Sequence, residues 1–574
     1  MAESATTDIS KANAKWEWLE PLCLHGSVNL AFAGAFGASW PVVLDDIERD
    51  EAIIIDITAT PALTDRLEAG ESFHLIGHVN GAMVRTSALT VQGRLDQAGR
   101  VRLRCSYPEM LSTVHRRGTF RAPIRSEMGV AAHFRLNADA ADMPVELDNL
   151  SLGGCLLTLR LADAVRLTSD QPFEQLSLQF PNGQRLTLAG WVRHVRTDDE
   201  WTTARVGCEF AELPIDGERM LWHCVKEAER ESARRVSQSA TPLQPSTLFL
   251  TPEGKKPAPV ALPARTPATV AGNTAARYLF KIADYLYAQI LELQNGGEIA
   301  STLLSRHTDT LLRLAAQSRE SLLFALAYLD TEPAPIRHGL GVAVRAADLA
   351  RGQGHDTETL KAVTASALIH DLGKALLPSA ILESASALDS AQRDQLVEHV
   401  AFIRQRLDNC RWLSPHIADQ IIGEVNERLD GSGYPVGAGG DSIGDLGRMM
   451  AVVDVVEAMT RPRPDRAAWP LTEVYRHLLG HPEQFDTVWV QRYVKRFGTA
   501  PVGALARFSS GALAWVQRLD DRGRPRQVHL VLNVNSRQRR LDQLLMDGDI
   551  DQLGRLEGVV DPQAFGLSLA PARE

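Results

Sequence analysis

The sequence has few cysteines, and they are not arranged as in a disulfide-bonded or zinc-binding protein. The six positions are Cys23, Cys105, Cys155, Cys208, Cys224 and Cys410. They are scattered along 574 residues without a Cys-x-x-Cys spacing. This usage is typical of reduced, buried thiols in a cytosolic protein.

A long hydrophobic run is also missing. The most apolar early stretch, LAFAGAFGASWPVVL from Leu30, is too short to span a bilayer and is interrupted by Gly and Pro. The opening stretch MAESATTDIS has neither the basic nor the apolar region of a signal peptide. We therefore predict a cytoplasmic protein with no membrane span.

Positive charge is not in excess. The chain has 61 Lys and Arg against 71 Asp and Glu, which gives a formal net charge of -10. This balance argues against bulk, salt-dependent binding to nucleic acid, and we predict no DNA partner. Any nucleotide site must be a compact local cluster.

The chain is long enough for two to four domains. Residues 16–108 and 109–235 alternate short apolar segments with Gly, Asp and Asn turns, which predicts two small antiparallel β-barrels. The second segment ends in GERMLWHCVKEAERESARR, whose apolar spacing predicts one amphipathic helix closing the barrel.

The rest of the chain changes class twice. Residues 236–274 are rich in Pro, Ser, Thr and Ala and predict a flexible linker. Residues 275–496 carry apolar residues at helical spacing, and residues 497–545 contain hairpin-like strand pairs. The predicted fold is multidomain: two small antiparallel β-barrels, then an all-α helical bundle with a small β appendage.

Two motifs in the second β segment point to an anionic ligand. HRRGTFR supplies arginines whose guanidinium forks pair with phosphate or with a guanine edge, and NLSLGG supplies a polar turn with Gly. The candidate residues are Arg116, Arg117, Arg121, Asn149, Ser151 and Gly154. Each motif alone is weak, because an Arg pair is usually a solvated surface and the turn string is common.

The helical segment contains candidate metal ligands. His370 and Asp371 lie near the end of a helix, and imidazole with carboxylate suits Fe, Mn or Zn holding an activated water. His338 begins an amphipathic helix, and Asp454 interrupts a Val-rich helix where an unpaired carboxylate would be costly. The alternative is that these residues are ordinary polar core.

The string ERLDGSGYP, at 427–435, is difficult to place in a core because its glycines are costly there. We therefore expect a loop that faces a ligand. Its candidate residues are Asp430, Gly431, Gly433, Tyr434 and Pro435.

The second β segment resembles the PilZ domain, which binds cyclic di-GMP through an RxxxR motif and a D/N-x-S-x-x-G motif. The matching stretches are Arg117 to Arg121, with Arg116 as a flanking arginine, and Asn149 to Gly154. The β segment before it, which ends in SYPEML, is similar to the N-terminal partner barrel of flagellar-brake proteins. The resemblance implies cyclic di-GMP as the ligand.

The helical segment resembles the HD-GYP subfamily of HD phosphohydrolases, which hydrolyse cyclic di-GMP with two or three metal ions. The matching metal ligands are His338, His370, Asp371 and Asp454, with His399 for a second metal bridged by Asp371. The resemblance also implies that Lys374 contacts a substrate phosphate.

The departures from that subfamily concern the additional metals. Val425 and Asn426 occupy the positions of two histidines, and Ala334 occupies the position of a Glu four residues before His338. On one continuous helix, His416 would lie too far along to replace either histidine. We therefore expect one divalent transition metal at most, and weak or absent phosphodiesterase activity.

Three functions remain open from the sequence. The first is a cyclic di-GMP receptor whose PilZ barrel, on binding, changes orientation across the linker relative to a degenerate HD-GYP output module. The second is a metal-dependent phosphodiesterase, of cyclic di-GMP or another phosphoester, regulated by the PilZ domain. The third is an interaction protein with a partner in motility or signalling. A homodimer is also open.

Overall fold

The computed structural model describes most of the chain in several stretches. They are residues 6–25, 27–32, 40–58, 60, 63–79, 82–97, 100–114, 121–236, 245–253, 257–263, 270, 272–382, 384, 386, 389–462, 467–536 and 540–569. The chain divides into two compact units. The first unit is 1–124 with 149–155 and 212–246, and the second is 125–148 with 156–211 and 247–574.

An antiparallel sheet forms the body of the first unit. Its elements are β1 Thr6–Ile9, α1 Ala12–His25, β2 Ser27–Phe32, β3 Trp40–Glu48, β4 Ala52–Asp56, α2 Thr64–Glu68, β5 Phe73–Val79, β6 Ala82–Thr86, β7 Val91–Gln97, β8 Arg100–Ser106 and β9 Leu111–Val114. The nine strands follow the order β1-β9-β6-β5-β2-β3-β4-β8-β7. Leu30, Ile53 and Phe73 are among its fully buried residues.

Helix α1 is an addition to the small antiparallel β-barrel that the sequence predicts for this region. Its Leu19 and Leu22 are buried in the core of the sheet. A Cβ on Gly77 would lie 2.4 Å from Leu22 Cδ1, so the helix packs directly on β5. The helix contains Pro21, which disfavours a helix interior, so local propensity did not indicate it.

The PilZ-like segment forms a closed antiparallel barrel. Its elements are β10 Ala122–Pro123, β11 Ala131–Arg135, β12 Met143–Leu150, β13 Gly154–Arg160, α3 Leu161–Ala164, β14 Pro172–Gln179, β15 Arg185–Thr197, β16 Thr203–Phe210 and α4 Ile215–Val236. The strand order is β10-β12-β11-β14-β15-β16-β13, and an additional pairing of β12 with β13 closes the ring. The alternating burial along β15 is typical of such a barrel.

The segment predicted as a flexible linker is packed where the structure describes it. A 3-10 turn at Thr247–Phe249 buries Leu248 and Phe249, and the Phe249 ring lies 5.8 Å from that of Phe180. The Leu262 amide donates to Glu146 Oε1 at 2.7 Å. These described parts of 236–274 therefore lie against the barrel, because their few large apolar side chains are buried there.

Eleven helices are described in the helical segment. They are α5 Thr274–Gln294, α6 Ser301–Gln317, α7 Arg319–Ala325, α8 Ala334–Gly352, α9 Thr357–Ile369, α10 Ser379–Leu382, α11 Ser390–Arg404, α12 Pro415–Ala418, α13 Asp445–Met459, α14 Leu471–Gly480 and α15 Thr487–Phe497. Side-chain caps set several starts, as where Asp356 accepts from the Thr359 amide at 2.7 Å. Among the described helices, none has the length and apolar character needed to cross a membrane.

The stretch HIADQIIGEVNERL does not form the single helix that its pattern predicts. Helix α12 ends at Ala418, a π-helical turn covers Asp419–Gly423, and the chain then leaves helical structure before Val425. His416 is exposed, and its Nε2 lies 2.9 Å from Gln420 Nε2. The assumption of a continuous helix from His416 to the GYP loop is therefore wrong.

A small antiparallel sheet ends the described chain. It contains β17 Leu505–Phe508, β18 Ala512–Leu519, β19 Pro525–Asn533, β20 Arg540–Met546 and β21 Leu556–Val559 in the order β20-β19-β18-β17-β21. Its core includes Phe508, Val516 and Val528. The sheet extends beyond residue 545, where the predicted appendage ends; the predicted domain limits otherwise stay predictions.

We predict that a half-buried histidine on α6, His307, makes the fold acid-sensitive. Burial, with a smaller effect of Arg306, lowers the pKa of His307 from 6.5 to about 4. The unfolded chain therefore takes up this proton first as the pH falls below 6.5, and at pH 5 the native state loses about 2 kcal/mol. His307→Phe keeps an aromatic ring but removes the proton site, so it should reduce the fall in thermal midpoint between pH 7 and pH 5. The exposed His416→Gln is the control, and equal acid sensitivity of all three proteins would refute the assignment.

Candidate metal centre and nucleotide-binding motif

The NLSLGG turn is held by its own polar groups. The Ser151 amide and hydroxyl both donate to the Gly154 carbonyl oxygen, at 2.9 and 2.7 Å. Ser151 is buried, so its hydroxyl shapes the turn from inside. Leu152 at the tip is 43% exposed. The turn therefore presents its backbone and a small apolar surface to solvent.

One motif arginine lies beside this turn. Arg121 Nη1 is 3.5 Å from Asn149 Oδ1, which is a long contact, and Pro123 pairs with Asn149 across β10 and β12. Arg116 and Arg117 lie outside the described residues. The structure thus brings Arg121 to the edge of the turn, where guanidinium and amide groups could bind an anionic ligand together.

Four candidate metal ligands converge in the helical segment. His338 comes from α8, His370 and Asp371 directly follow α9, and Asp454 comes from α13. Their ligand atoms all lie within 4.8 Å of one another. His338 Nε2 is 2.9 Å and His370 Nε2 is 3.3 Å from Asp454 Oδ1. The cluster is compact enough for a single ion.

Two histidines are oriented as ligands by the backbone. His370 Nδ1 is 2.8 Å from the Ala367 carbonyl oxygen, and His399 Nδ1 makes the same contact with Leu396. A carbonyl only accepts, so Nδ1 carries a hydrogen and Nε2 is the ring atom that faces the carboxylates, holding a proton in the charged ring or a lone pair for a metal in the neutral ring. His399 Nε2 is buried, has no hydrogen-bond partner among the described residues, and is 3.5 Å from Asp371 Oδ1. A ring nitrogen that faces a carboxylate in this way needs a proton or a metal ion between the two atoms, so the donor set fits a metal.

The electrostatics keep both carboxylates ionised. Burial alone would raise the pKa of Asp454, but His338 and His370 hold it well below its usual range. Burial likewise opposes ionisation of Asp371, and Lys374 and His370 lower the pKa of that group well below 3.8. Both groups are therefore available as anionic ligands at neutral pH.

Lys374 lies at the edge of this cluster. It sits in a 3-10 turn at Leu372–Leu376, and its Nζ is 2.6 Å from Asp371 Oδ2. Burial would lower the pKa of Lys374, but Asp371 raises it above 10.5, so the side chain stays charged. A Cβ on Gly373 would lie 2.1 Å from the His399 carbonyl oxygen, so only glycine allows this turn to pack on α11.

The GYP loop closes one side of the centre. Gly431 has φ +76°, and a Cβ on Gly433 would lie 2.4 Å from Glu427 Cα, so both glycines are required by the backbone. Asp430 is exposed and accepts from the Ser432 amide, which stabilises the loop. The Tyr434 ring, just before cis Pro435, lies 6.2 Å from that of His399. Of the predicted loop residues, Tyr434 is the one placed toward the ligand cluster.

The positions expected to hold further metals carry no comparable ligand. Val425 is buried among apolar residues and has no donor atom. Asn426 offers only a neutral amide, whose buried Nδ2 has no hydrogen-bond partner in the part of the chain that the structure describes. Ala334 begins α8 one turn before His338 and is exposed. His399 and Asp371 are therefore left as an incomplete second set.

Arg428 is a further candidate for contacting an anionic ligand, and the sequence motifs did not indicate it. Its Nη1 donates to the carbonyl oxygens of Glu427 and Val425 at 2.7 and 3.3 Å. Burial lowers the pKa of Arg428, and the negative charge of Asp454 is the largest effect that opposes this. The place of Arg428 as a charged residue inside the ERLDGSGYP string could have indicated a role at this site.

Comparison with known proteins identifies two domains. The family profile of the PilZ domain matches residues 115–227, and that of the HD domain matches residues 299–487. A cyclic di-GMP phosphodiesterase of Pseudomonas aeruginosa is 28% identical over 318 residues, covering 54% of this chain and 76% of that protein. The 3'3'-cGAMP-specific phosphodiesterase 3 of Vibrio cholerae is 37% identical over 107 residues, covering 18% of this chain and 23% of that protein.

A solved structure is similar to part of the chain. It is Escherichia coli YcgR in complex with c-di-GMP, with 19% identity, a TM-score of 0.28, and coverage of 40% of this chain and 95% of that chain. At such a low score the domain assignment rests on the two family profiles.

We predict that a divalent ion stabilises the native protein through the His–Asp cluster. After treatment with a chelator, Mn²⁺ or Zn²⁺ at about 100 times its Kd should add about 2.7 kcal/mol to the free energy of unfolding, seen as a higher thermal midpoint. Asp454→Asn should abolish this metal-induced shift because it removes an anionic ligand. The fully exposed Asp441→Asn is the matched control; a shift retained in Asp454→Asn would exclude the cluster as the site.

Proposed function

Because the chain joins a PilZ domain to an HD domain, we propose that it is a cyclic di-GMP receptor in which the PilZ domain binds the dinucleotide. The HD-GYP-like region then serves as an output or interaction module. The observation that carries this proposal is the position of Arg121 beside the Asn149–Gly154 turn, in a segment that matches the PilZ profile.

The chemistry of the ligand suits these residues. Arg116, Arg117 and Arg121 would pair with the phosphates and with a guanine edge, since guanidinium groups bind both bidentately. The Asn149 amide offers a donor and an acceptor at the same edge of the barrel. The Ser151 hydroxyl is used inside the turn, so its role is to hold the backbone in a shape that a base can approach.

The HD region would hold one divalent ion. His338, His370, Asp371 and Asp454 are the residues that would bind Fe, Mn or Zn, and a bound ion would supply Lewis acidity and an activated water. Lys374 would orient a phosphate as a point charge next to this position. His399 would be one ligand of a second metal ion, but Val425 and Asn426 do not supply the other ligands.

Weak or absent hydrolysis follows from this ligand set. Two-metal phosphodiesterases stabilise the attacking and the leaving oxygen of the phosphate together. A chain that holds one ion loses a large part of that stabilisation. We therefore assign the main role to binding and signal output.

A single-metal phosphohydrolase is the second candidate function. Its support is the cluster of ligand atoms. The Ala367 carbonyl orients His370, Asp371 is ionised, and Lys374 lies beside Asp371. The substrate would be cyclic di-GMP or another phosphoester, under control of the PilZ domain. One tightly bound metal per chain and turnover lost in Asp371→Ala would favour this function.

Further parts of the proposal concern location and partners. We place the protein in the cytoplasm, with a protein partner in motility or signalling and without a DNA partner. A second copy of the chain is an additional candidate partner.

We predict that cyclic di-GMP binding depends on the motif arginines. Arg117→Ala and Arg121→Ala should each weaken binding about 10- to 100-fold, because each removes a charge-assisted hydrogen bond. Isothermal titration calorimetry on the full chain measures this. Arg166→Ala is the matched control, because Arg166 is exposed and outside both motifs. No binding by the wild-type protein would refute the receptor.

We also predict that the second metal can be restored. The double substitution Val425→His and Asn426→His adds two imidazoles at the positions where the HD-GYP resemblance implies metal-binding histidines. Metal analysis should rise from one to two ions per chain, with a gain of phosphodiesterase activity. Because Val425 is buried, each single variant and circular dichroism serve as controls for folding. A folded double variant that still binds one ion would contradict this account of the site.

A further inference from the structure

The hairpin between β15 and β16 contacts the first helix of the helical segment. Both elements belong to the second compact unit. Asn295, at the end of α5, donates from Nδ2 to the Val195 carbonyl oxygen on β15 at 2.9 Å. The Thr197 hydroxyl donates to the Glu292 carboxylate of α5. The barrel is therefore joined to α5 by specific side-chain contacts in addition to the chain connection.

An aromatic stack reinforces this contact. The Trp201 ring, in the hairpin, stacks on the Tyr285 ring of α5 at 6.2 Å between centroids and 17° between planes. Tyr285 in turn stacks on His307 of α6 at 4.8 Å. Tyr285 is buried, and aromatic pairs of this kind attract each other beyond the effect of the area that they bury.

The backbone of Trp201 is in an unfavourable conformation. Its φ is +57°, in the left-handed region that bulky residues rarely adopt. Such residues persist only where their surroundings hold them, and they cluster at functional positions. Glycine would suit this backbone better, so the presence of Trp indicates that the ring itself has a role.

The same helix reaches the metal centre. Helix α5 packs on the 3-10 turn at Leu372–Leu376, and Gln294 Nε2 lies 3.4 Å from the Ala375 carbonyl oxygen. This turn follows Asp371 and carries Lys374. Gly373 within it packs on the backbone of His399. Helix α5 therefore contacts the turn that carries Lys374 and that packs on His399.

We propose that Trp201 and Thr197 are positioning residues, which hold α5 against the barrel and thereby fix the turn that carries Lys374 beside Asp371. The barrel thus sets the geometry of the HD centre through one helix. The positioning itself requires only the contacts described. Its control by cyclic di-GMP rests on the proposed function.

The test compares variants that keep the hairpin backbone. Trp201→Gly removes the ring while suiting a positive φ, Trp201→Phe keeps an aromatic ring, and Thr197→Val removes only the hydroxyl. Thr187→Val is the matched control, because Thr187 is exposed on the same strand, away from the α5 contacts. All are made in the full chain.

Two readouts are used. The first is hydrogen exchange of the Lys374 and Leu377 amides, which donate to the Asp371 and Lys374 carbonyl oxygens at 3.0 Å. The second is Mn²⁺ affinity, with the Mn²⁺ electron paramagnetic resonance spectrum. Trp201→Gly and Thr197→Val should speed exchange in this turn and weaken Mn²⁺ binding about 2- to 30-fold. Trp201→Phe should restore both, and Thr187→Val should match the wild type.

Exchange and Mn²⁺ affinity unchanged in both Trp201→Gly and Thr197→Val would overturn the proposal. The proposal would also be overturned if Trp201→Gly and Thr197→Val exchanged faster only in the hairpin and kept the wild-type rate in the turn. The contact would then be local packing. Adding cyclic di-GMP tests the dependent part: it should change exchange at Lys374 in the wild type but not in Trp201→Gly. Absence of any dinucleotide binding would sink the receptor function while the positioning result stood.

Discussion

The contact of the partly buried Asp454 carboxylate with His338 and His370 is the constraint on which the helical domain depends. These groups come from α13, α8 and the end of α9, so the three helices must meet at one point. Buried charge is costly unless it is paired or bound to a metal. The backbone carbonyl of Ala367 adds to this by fixing the His370 tautomer, and Lys374 balances Asp371. Contacts between residues of the chain itself thus hold the centre together.

The surroundings of this centre combine retained and lost features. Gly431 and Gly433 still shape the GYP loop, and Tyr434 still lies beside His399. Val425, in contrast, is part of the apolar core, where a ligand would have to be accommodated. The ligand atoms of His338, His370, Asp371 and Asp454 lie close enough together for one ion. The signalling value of this site would then lie in coupling to the barrel, for which α5 provides a short physical connection.

Much of this organisation could be predicted from the sequence, where periodicity and spacing carry the information. Strand alternation indicated the barrels, and the positions of His338, His370, Asp371 and Asp454 indicated a cluster that the structure brings within reach of one ion. Features that depend on tertiary contacts were missed. Helix α1 contains Pro21, the π-helical turn interrupts a regular helical pattern, and the Trp201–Tyr285 stack joins residues far apart in sequence. Local patterns cannot indicate such features.

The central claim is that the PilZ domain binds cyclic di-GMP while the HD centre holds one ion and hydrolyses little or none of it. The most direct test is metal content and cyclic di-GMP turnover measured on one anaerobically purified sample that binds the dinucleotide. The account predicts no more than one transition-metal ion per chain and negligible turnover. Two ions per chain together with rapid hydrolysis would contradict it.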